Sequence, residues 1–226
     1  MFDLQGVGHI SFTRSYNTWL YRRKKDVLDS VFRGRDLAGF EVCDVGCGVG
    51  VFVEWYLGRG SNVRGIDITD KSILELSKRY RQRAEFVRQD ITDCHYRSDR
   101  EFDIVNMWDV IYHIVDDVLF VQALENVRQS LKKGGLFLFT DWFGMSSDKQ
   151  LAPHVKARSL ATYQALLPGK GLRLVEVRPL YRWLDVVHLT YQVDSRLGWL
   201  YYILDSVSPR GAKENVSLSV WRMEGS

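Results

Sequence analysis

Three features of the sequence predict an α/β fold built on a mostly parallel sheet. Short apolar runs alternate with segments of helical spacing from about residue 41 to residue 140. The first run, Glu41-Val42-Cys43-Asp44-Val45, passes straight into a loop with glycine at 46, 48 and 50. Glycines at that spacing let a backbone turn sharply and bring its N–H groups close to a ligand. The second run, Val63-Arg64-Gly65-Ile66-Asp67, ends on an acid. It lies about 20 residues beyond the loop, where a carboxylate at a strand tip can accept hydrogen bonds from ribose hydroxyls.

The elements follow in order. A helical lead-in is predicted near 15–34, strand 41–45, a helix near 49–58 and strand 62–67. A helix near 70–80 comes next, with Thr69 or Asp70 as its N-cap, then strand 85–88 and a polar loop through residue 100. Strand 102–107 precedes a helix near 116–131, which Lys132-Lys133-Gly134-Gly135 should stop before strand 136–140. A helix near 159–167 ends at Pro168-Gly169, and strands at 172–178 and 215–223 complete the pattern. Between them, residues from about 179 to 214 exceed what a turn requires and carry Trp183, His188, Tyr191, Trp199, Tyr201 and Tyr202. A lid or pocket wall and a plain packing helix or dimer contact both fit that insertion.

The ordered motifs resemble those of class I S-adenosylmethionine-dependent methyltransferases. Asp44 with Gly46, Gly48 and Gly50 resembles the first motif, and Gly65-Ile66-Asp67-Ile68 the acidic second. Phe86-Val87-Arg88-Gln89-Asp90-Ile91 resembles the third, while Phe102–Trp108 and Gly134–Thr140 resemble the fourth and fifth strands. The resemblance covers roughly residues 38–142. It implies a Rossmann-like seven-stranded sheet, mostly parallel with an antiparallel last strand and helices on both faces. The whole chain, 1–226, would then be one domain, with an N-terminal helical cap at about 1–36 and the insertion at about 179–214 as lid elements. A dinucleotide-binding oxidoreductase fits less well. Its fingerprint needs a third glycine three places after the second, and position 51 is valine. Asp44 would also repel a pyrophosphate, whereas it suits a ligand bearing an ammonium and a sulfonium.

The resemblance implies the cofactor contacts. Asp44 and the loop Gly46, Cys47, Gly48 and Gly50 would hold the amino-acid end of S-adenosylmethionine, with the Met107 carbonyl reaching its ammonium and Trp108 beside it. Asp67 would take the ribose, Ile68 would pack on the adenine face, and Asp90 with Ile91 would meet the adenine N6. Tyr16 and Trp19 resemble an aromatic lead-in that folds over the methionine end.

Methyl transfer is an in-line displacement in which the cofactor brings the activated leaving group. The protein must align the reactants, exclude water and deprotonate a weakly acidic nucleophile. His113, just after the fourth strand, is the first base candidate, and His154 the second. Asp141, ending strand 136–140, could orient a histidine, bind substrate or cap the next loop. No metal site is expected.

Composition bounds the partners. The 226 residues are 46% hydrophobic and 26% charged, ordinary for a globular protein. No apolar run approaches the roughly 20 residues that span a bilayer, residues 1–30 hold no signal-peptide core, and three cysteines make no disulfide framework, so a cytoplasmic location is expected. Residues 1–40 carry seven Lys/Arg against four acids, the whole net excess of +3. The cluster Arg22-Arg23-Lys24-Lys25 could meet nucleic acid or an anionic membrane, but a solvated helix face explains it more simply. The sequence thus points to a small-molecule methyltransferase without nucleic-acid or membrane partners, O-directed rather than N-directed because two histidines can serve as bases. N-methylation of a small amine or of nucleic acid, a non-catalytic binding subunit, and a homodimer remain open on sequence alone.

Overall fold

The computed structural model describes residues 14–96, 98–181, 184, 198–207 and 216–224. Helix α1 (Arg14–Val31) leads into strand β1 (Glu41–Val45), helix α2 (Val51–Leu57), strand β2 (Asn62–Asp67), helix α3 (Asp70–Tyr80) and strand β3 (Glu85–Arg88). Strand β4 (Phe102–Met107), helix α4 (Asp117–Ser130) and strand β5 (Leu131–Asp141) follow. A hairpin of β6 (Lys149–Ala152) and β7 (Val155–Ala157) precedes helix α5 (Leu160–Leu166), strand β8 (Leu172–Pro179), helix α6 (Gly198–Val207) and strand β9 (Ser217–Met223).

Seven strands form one sheet in the order β3-β2-β1-β4-β5-β9-β8. The first five are parallel, and β9 runs antiparallel between β5 and β8. This is the Rossmann-like arrangement expected. The central strands are buried on both faces, as parallel strands covered by helices must be. Ile104, Leu136 and Leu138 point to the side packed by α1, α2 and α3. Val105, Phe137 and Phe139 point to the other side, against Phe120, Leu124 and Val127 of α4.

Local chemistry sets the boundaries. Asp116 caps α4 by accepting from the Val118 and Leu119 N–H groups at 2.8 and 3.0 Å. That helix stops at Ser130, yet residues 131–135 join the strand instead of forming a separate stop. The reason is the glycine pair. Gly134 takes φ +79°, and a Cβ on Gly135 would lie 2.8 Å from the Lys132 carbonyl oxygen. The β6–β7 hairpin is absent from the sequence reading, because neither arm shows a clean apolar alternation. Of the aromatic insertion, Trp183, His188 and Tyr191 lie outside the described residues. Helix α6 packs on α1, with the Trp19 and Tyr202 rings 5.1 Å apart and the Tyr202 hydroxyl donating to Asp26 at 2.7 Å. No helix among the described residues is long and apolar enough to cross a membrane.

Candidate active site

Parallel strands place their carboxyl ends, and the loops that follow, at one rim of the sheet. At the tip of β1 the three glycines have φ of +69°, +52° and +83°, all in the left-handed region that side chains avoid. The resulting coil is strapped to β2: the Gly46 and Cys47 N–H groups both donate to the Ile66 carbonyl, at 2.8 and 3.1 Å. The Gly48 N–H donates to Asp67 Oδ2 at 3.0 Å. Asp67 Oδ1 accepts from the Thr69 N–H and hydroxyl at 2.9 and 2.7 Å, which fixes the carboxylate beside the loop. Ile68 is 64% exposed, an apolar face open at this edge. Asp90 is also exposed, its Oδ1 accepting from Thr92. The Cys47 side chain turns inward, its Sγ 2.9 Å from where a Gly65 Cβ would sit, so only its main chain faces the loop's concavity. Cys43 and Cys47 are free thiols in the core, and burial pushes both up.

Beneath the loop lies a buried polar chain. Asn106 Nδ2 donates to Asp44 Oδ1 at 2.7 Å, while Asn106 Oδ1 accepts from Trp108 Nε1 at 2.6 Å and the Tyr56 hydroxyl at 3.3 Å. Those donors fix the amide's orientation, so Asp44 receives an N–H on one oxygen. The other oxygen, Oδ2, is buried without a partner. An unpaired buried carboxylate oxygen is costly. Burial, reinforced by the nearby Asp67, therefore pushes the Asp44 carboxyl up to about 7 against the Asn106 hydrogen bond. A ligand ammonium at this point would supply the missing donor. The residues present thus fit the amino-acid end of S-adenosylmethionine: Asp44 for the ammonium, the glycine loop for close approach, Asp67 for the ribose and Ile68 for the base. Trp108 stacks on Phe52 with ring centroids 4.6 Å apart and is turned into the core, and Met107 beside it is buried. Tyr16 and Trp19 are committed to the cap. The Tyr16 hydroxyl donates to the Leu184 carbonyl at 2.6 Å, and Trp19 faces Tyr202.

After β4 the chain makes a left-handed turn at Asp109, φ +56°, and then a 3₁₀ turn over Ile111–His113. His113 and His154 come together there. His113 Nδ1 lies 2.9 Å from the His154 carbonyl oxygen, and both side chains belong to exposed residues. The hairpin that carries His154 is anchored by Lys156 and Arg158, which pair with Asp117 at 2.7 and 3.0 Å at the start of α4. Tyr112 and Trp142 extend the aromatic wall, their rings 4.9 Å apart.

Of the three roles open to Asp141 on sequence alone, its contacts are those of the loop cap. It does not stand at the rim but is fully buried, where it accepts from the Trp142 N–H at 2.7 Å, the Arg158 N–H at 3.2 Å and the Tyr163 hydroxyl. Burial pushes its carboxyl up to about 7 although those donors oppose the shift. Donors surround both oxygens, so Asp141 joins β5, β7 and α5 and caps the following loop. Four residues beside the site escape the sequence reading: Asn106, Asp109, Thr140 and Lys24. Lys24 carried a usable signal. It falls on the face that Leu20, Val27 and Leu28 define at helical spacing, and it is only 6% exposed.

Residues 16–190 match the family model described as a methyltransferase domain. The chain belongs to that family. Among curated relatives, the ubiquinone biosynthesis O-methyltransferase of Aromatoleum aromaticum is 30% identical over 117 residues, covering 50% of this chain and 48% of that one. The enzyme of the same name from Actinobacillus pleuropneumoniae is 27% identical over 175 residues, 71% of this chain and 70% of its own. The matches to several of these methyltransferases span just under half of their length, 45 to 48%. Among solved structures, the N-methyltransferase NodS of Bradyrhizobium japonicum, bound to S-adenosyl-L-homocysteine, superposes with a TM-score of 0.62 at 16% identity. That superposition covers 92% of this methyltransferase and 88% of NodS, and at such identity it speaks for the fold alone.

Proposed function

We propose that this methyltransferase moves the methyl group of S-adenosylmethionine to a hydroxyl oxygen of a small-molecule acceptor, with His113 as general base. One observation carries the base assignment: His113 Nδ1 is 2.9 Å from a main-chain carbonyl oxygen. A carbonyl only accepts, so Nδ1 bears a hydrogen, and the neutral imidazole then carries its lone pair on Nε2. A base fixed in that tautomer suits an alcohol or phenol, whose proton must leave as the oxygen attacks. The bound cofactor supplies an activated methyl on sulfonium. Asp44 receives the ammonium, the loop 46–50 admits the amino-acid end, Asp67 accepts from the ribose and Asp90 from the adenine amino group. Helices α1 and α6 act as a cap that keeps water from the methyl, the whole chain working as one domain in the cytoplasm. The names of the curated relatives favour oxygen over nitrogen as the acceptor atom. The basic run on α1 is partly spent on internal contacts, which favours a small molecule over nucleic acid.

The test is calorimetric titration of the purified chain with S-adenosylhomocysteine, followed by a methyl-transfer screen of hydroxylated and amine metabolites. Micromolar binding and transfer to a hydroxyl, lost in His113→Ala, are expected. Transfer to amines alone would replace the acceptor assignment, and no binding at all would leave a methyltransferase fold kept as a binding subunit.

A further inference from the structure

The fold divides the basic run of α1. Arg22 lies over the Trp19 and Tyr202 rings at 5.5 and 5.2 Å, and Arg23 Nε donates to the Leu180 carbonyl at 2.9 Å. Lys24 alone is buried, at 6% exposure, with its ammonium 4.6 Å over the Tyr21 ring. A lysine taken out of water keeps its charge only beside a partner. Its partner is Asp109, 85 positions away, whose Oδ2 accepts from Lys24 Nζ.

Asp109 sits where the backbone is least ordinary. Among the described residues only it and Arg81 have positive φ without being glycine. Such a conformation persists where the surroundings over-determine it, and it gathers at functional sites. The surroundings here are specific. The Asp109 N–H donates to Thr140 Oγ1 at 2.8 Å, and the same hydroxyl lies 3.2 Å from Asp109 Oδ1. The 3₁₀ turn Ile111–His113 follows at once, its His113 N–H donating to the Val110 carbonyl at 2.9 Å. Tyr112 in turn packs its ring 4.7 Å from His113. The path from α1 to the imidazole therefore runs through the Lys24–Asp109 pair, the corner at 109 and the short turn that ends on His113.

We propose that Lys24 and Asp109 are positioning residues of the methyl-transfer site: their ion pair holds the left-handed corner at 109 so that His113 keeps Nδ1 on the His154 carbonyl and Nε2 toward the acceptor. The assignment rests on the reading of His113 as the base. It also gives the buried charge a reason, because buried ion pairs fix a geometry more than they stabilise a fold. Lys24 belongs to α1 and Asp109 to the turn after β4, so docking of α1 and the set of the base are one event.

The experiment is nitrogen NMR of the full chain with labelled histidine, the His113 signals being assigned by His113→Gln. Wild type should show His113 protonated on Nδ1. Asp109→Asn retains a residue that tolerates the left-handed region but removes the anion. It should bring at least half of His113 to the Nε2-protonated form that imidazole prefers in water, and Lys24→Met should do the same. Lys24→Arg, which keeps the charge, should retain the wild-type pattern. Dissociation constants for S-adenosylhomocysteine should stay within about threefold. An unchanged Nδ1-protonated pattern in Asp109→Asn overturns the proposal, even if Lys24→Met fails to fold. Failure of the wild-type chain to bind S-adenosylhomocysteine would strike the cofactor assignment instead, and the tautomer comparison would still decide the role of the pair.

Discussion

The imidazoles of His113 and His154 lie 11° from parallel with their centroids 5.7 Å apart, while the main-chain carbonyl of His154 receives the Nδ1 hydrogen of His113. Two residues that sequence alone ranks as rival bases thus belong to one unit. On the proposed reading one is the base, and the other, through its backbone carbonyl, orients it.

The two histidines should therefore respond unequally to substitution. His113→Ala is expected to lower turnover by about 10²- to 10⁴-fold, the range for removing a positioned base, with cofactor affinity unchanged. His154→Ala leaves the carbonyl in place, so the loss should stay below about tenfold. Initial rates on the identified acceptor check this, and an equal loss in both variants would make His154 the base.

Asp67 makes three hydrogen bonds at the loop edge, to Gly48 and twice to Thr69, and is the acceptor proposed for the ribose. Asp67→Ala should weaken S-adenosylhomocysteine binding by about 1–3 kcal/mol, the scale of lost charge-assisted hydrogen bonds. Calorimetry reads it directly, and an unchanged dissociation constant removes Asp67 from that role.

The Asp44 carboxyl sits at about 7 in the unliganded chain against a usual 3.8. Its folded value is raised, so the folded chain holds a proton that the unfolded chain has lost between about pH 4 and 7. Stability from this group is therefore present at the acid end of that window and lost as pH rises through it. Asp141, raised to about 7 by burial, acts in the same direction. Asp44→Asn should flatten the fall in melting temperature between pH 5 and 8. Binding of an ammonium ligand needs the ionised form, so affinity for S-adenosylhomocysteine should drop toward about tenfold per pH unit below 7, with a proton released on binding. A pH-independent affinity from pH 5 to 8 would contradict the Asp44–ammonium contact.

At Gly46 a Cβ would stand 2.3 Å from Val110 Cγ2, on a backbone at φ +69°. Gly46→Ala should destabilise the chain by about 1–3 kcal/mol through overpacking and left-handed strain, and it should weaken cofactor binding as well. Val110→Ala in the same chain ought to recover part of the stability, as denaturant titration would show. No recovery would place the whole cost in the backbone.

Tyr163→Phe removes the hydroxyl that donates to buried Asp141. A loss of about 1–3 kcal/mol in stability is expected, the cost of an unpaired buried acceptor, with S-adenosylhomocysteine affinity unchanged. A parallel loss of affinity would return Asp141 to the ligand site.

The sheet was legible in the sequence because its determinants are local. Apolar runs, glycine loops and the acids at 44 and 67 each occupy a few consecutive residues, whereas the antiparallel end of the sheet and the cofactor contacts were expected only from the family resemblance. Partnerships made across the fold were hidden. Asp141 ends a strand just as a rim acid would, and only its meeting with Tyr163 and Arg158 shows it sealed. Lys24 looked solvated within a run of four basic residues, because its partner lies 85 positions downstream. The β6–β7 hairpin depends on its ion pairs with Asp117 more than on its own pattern.

Strand β9 follows β8 in the chain, yet it sits inside the sheet, between β5 and β8. Until residues 217–223 emerge, the β5 edge through Phe137, Leu138 and Phe139 has no hydrogen-bonding neighbour on that side. The nascent chain thus carries an open, apolar strand edge from residue 141 until β9 emerges, the feature that recruits unwanted strands from other chains. Biosynthesis is exposed to aggregation until β9 has emerged, and translation speed between residues 141 and 223 should influence yield.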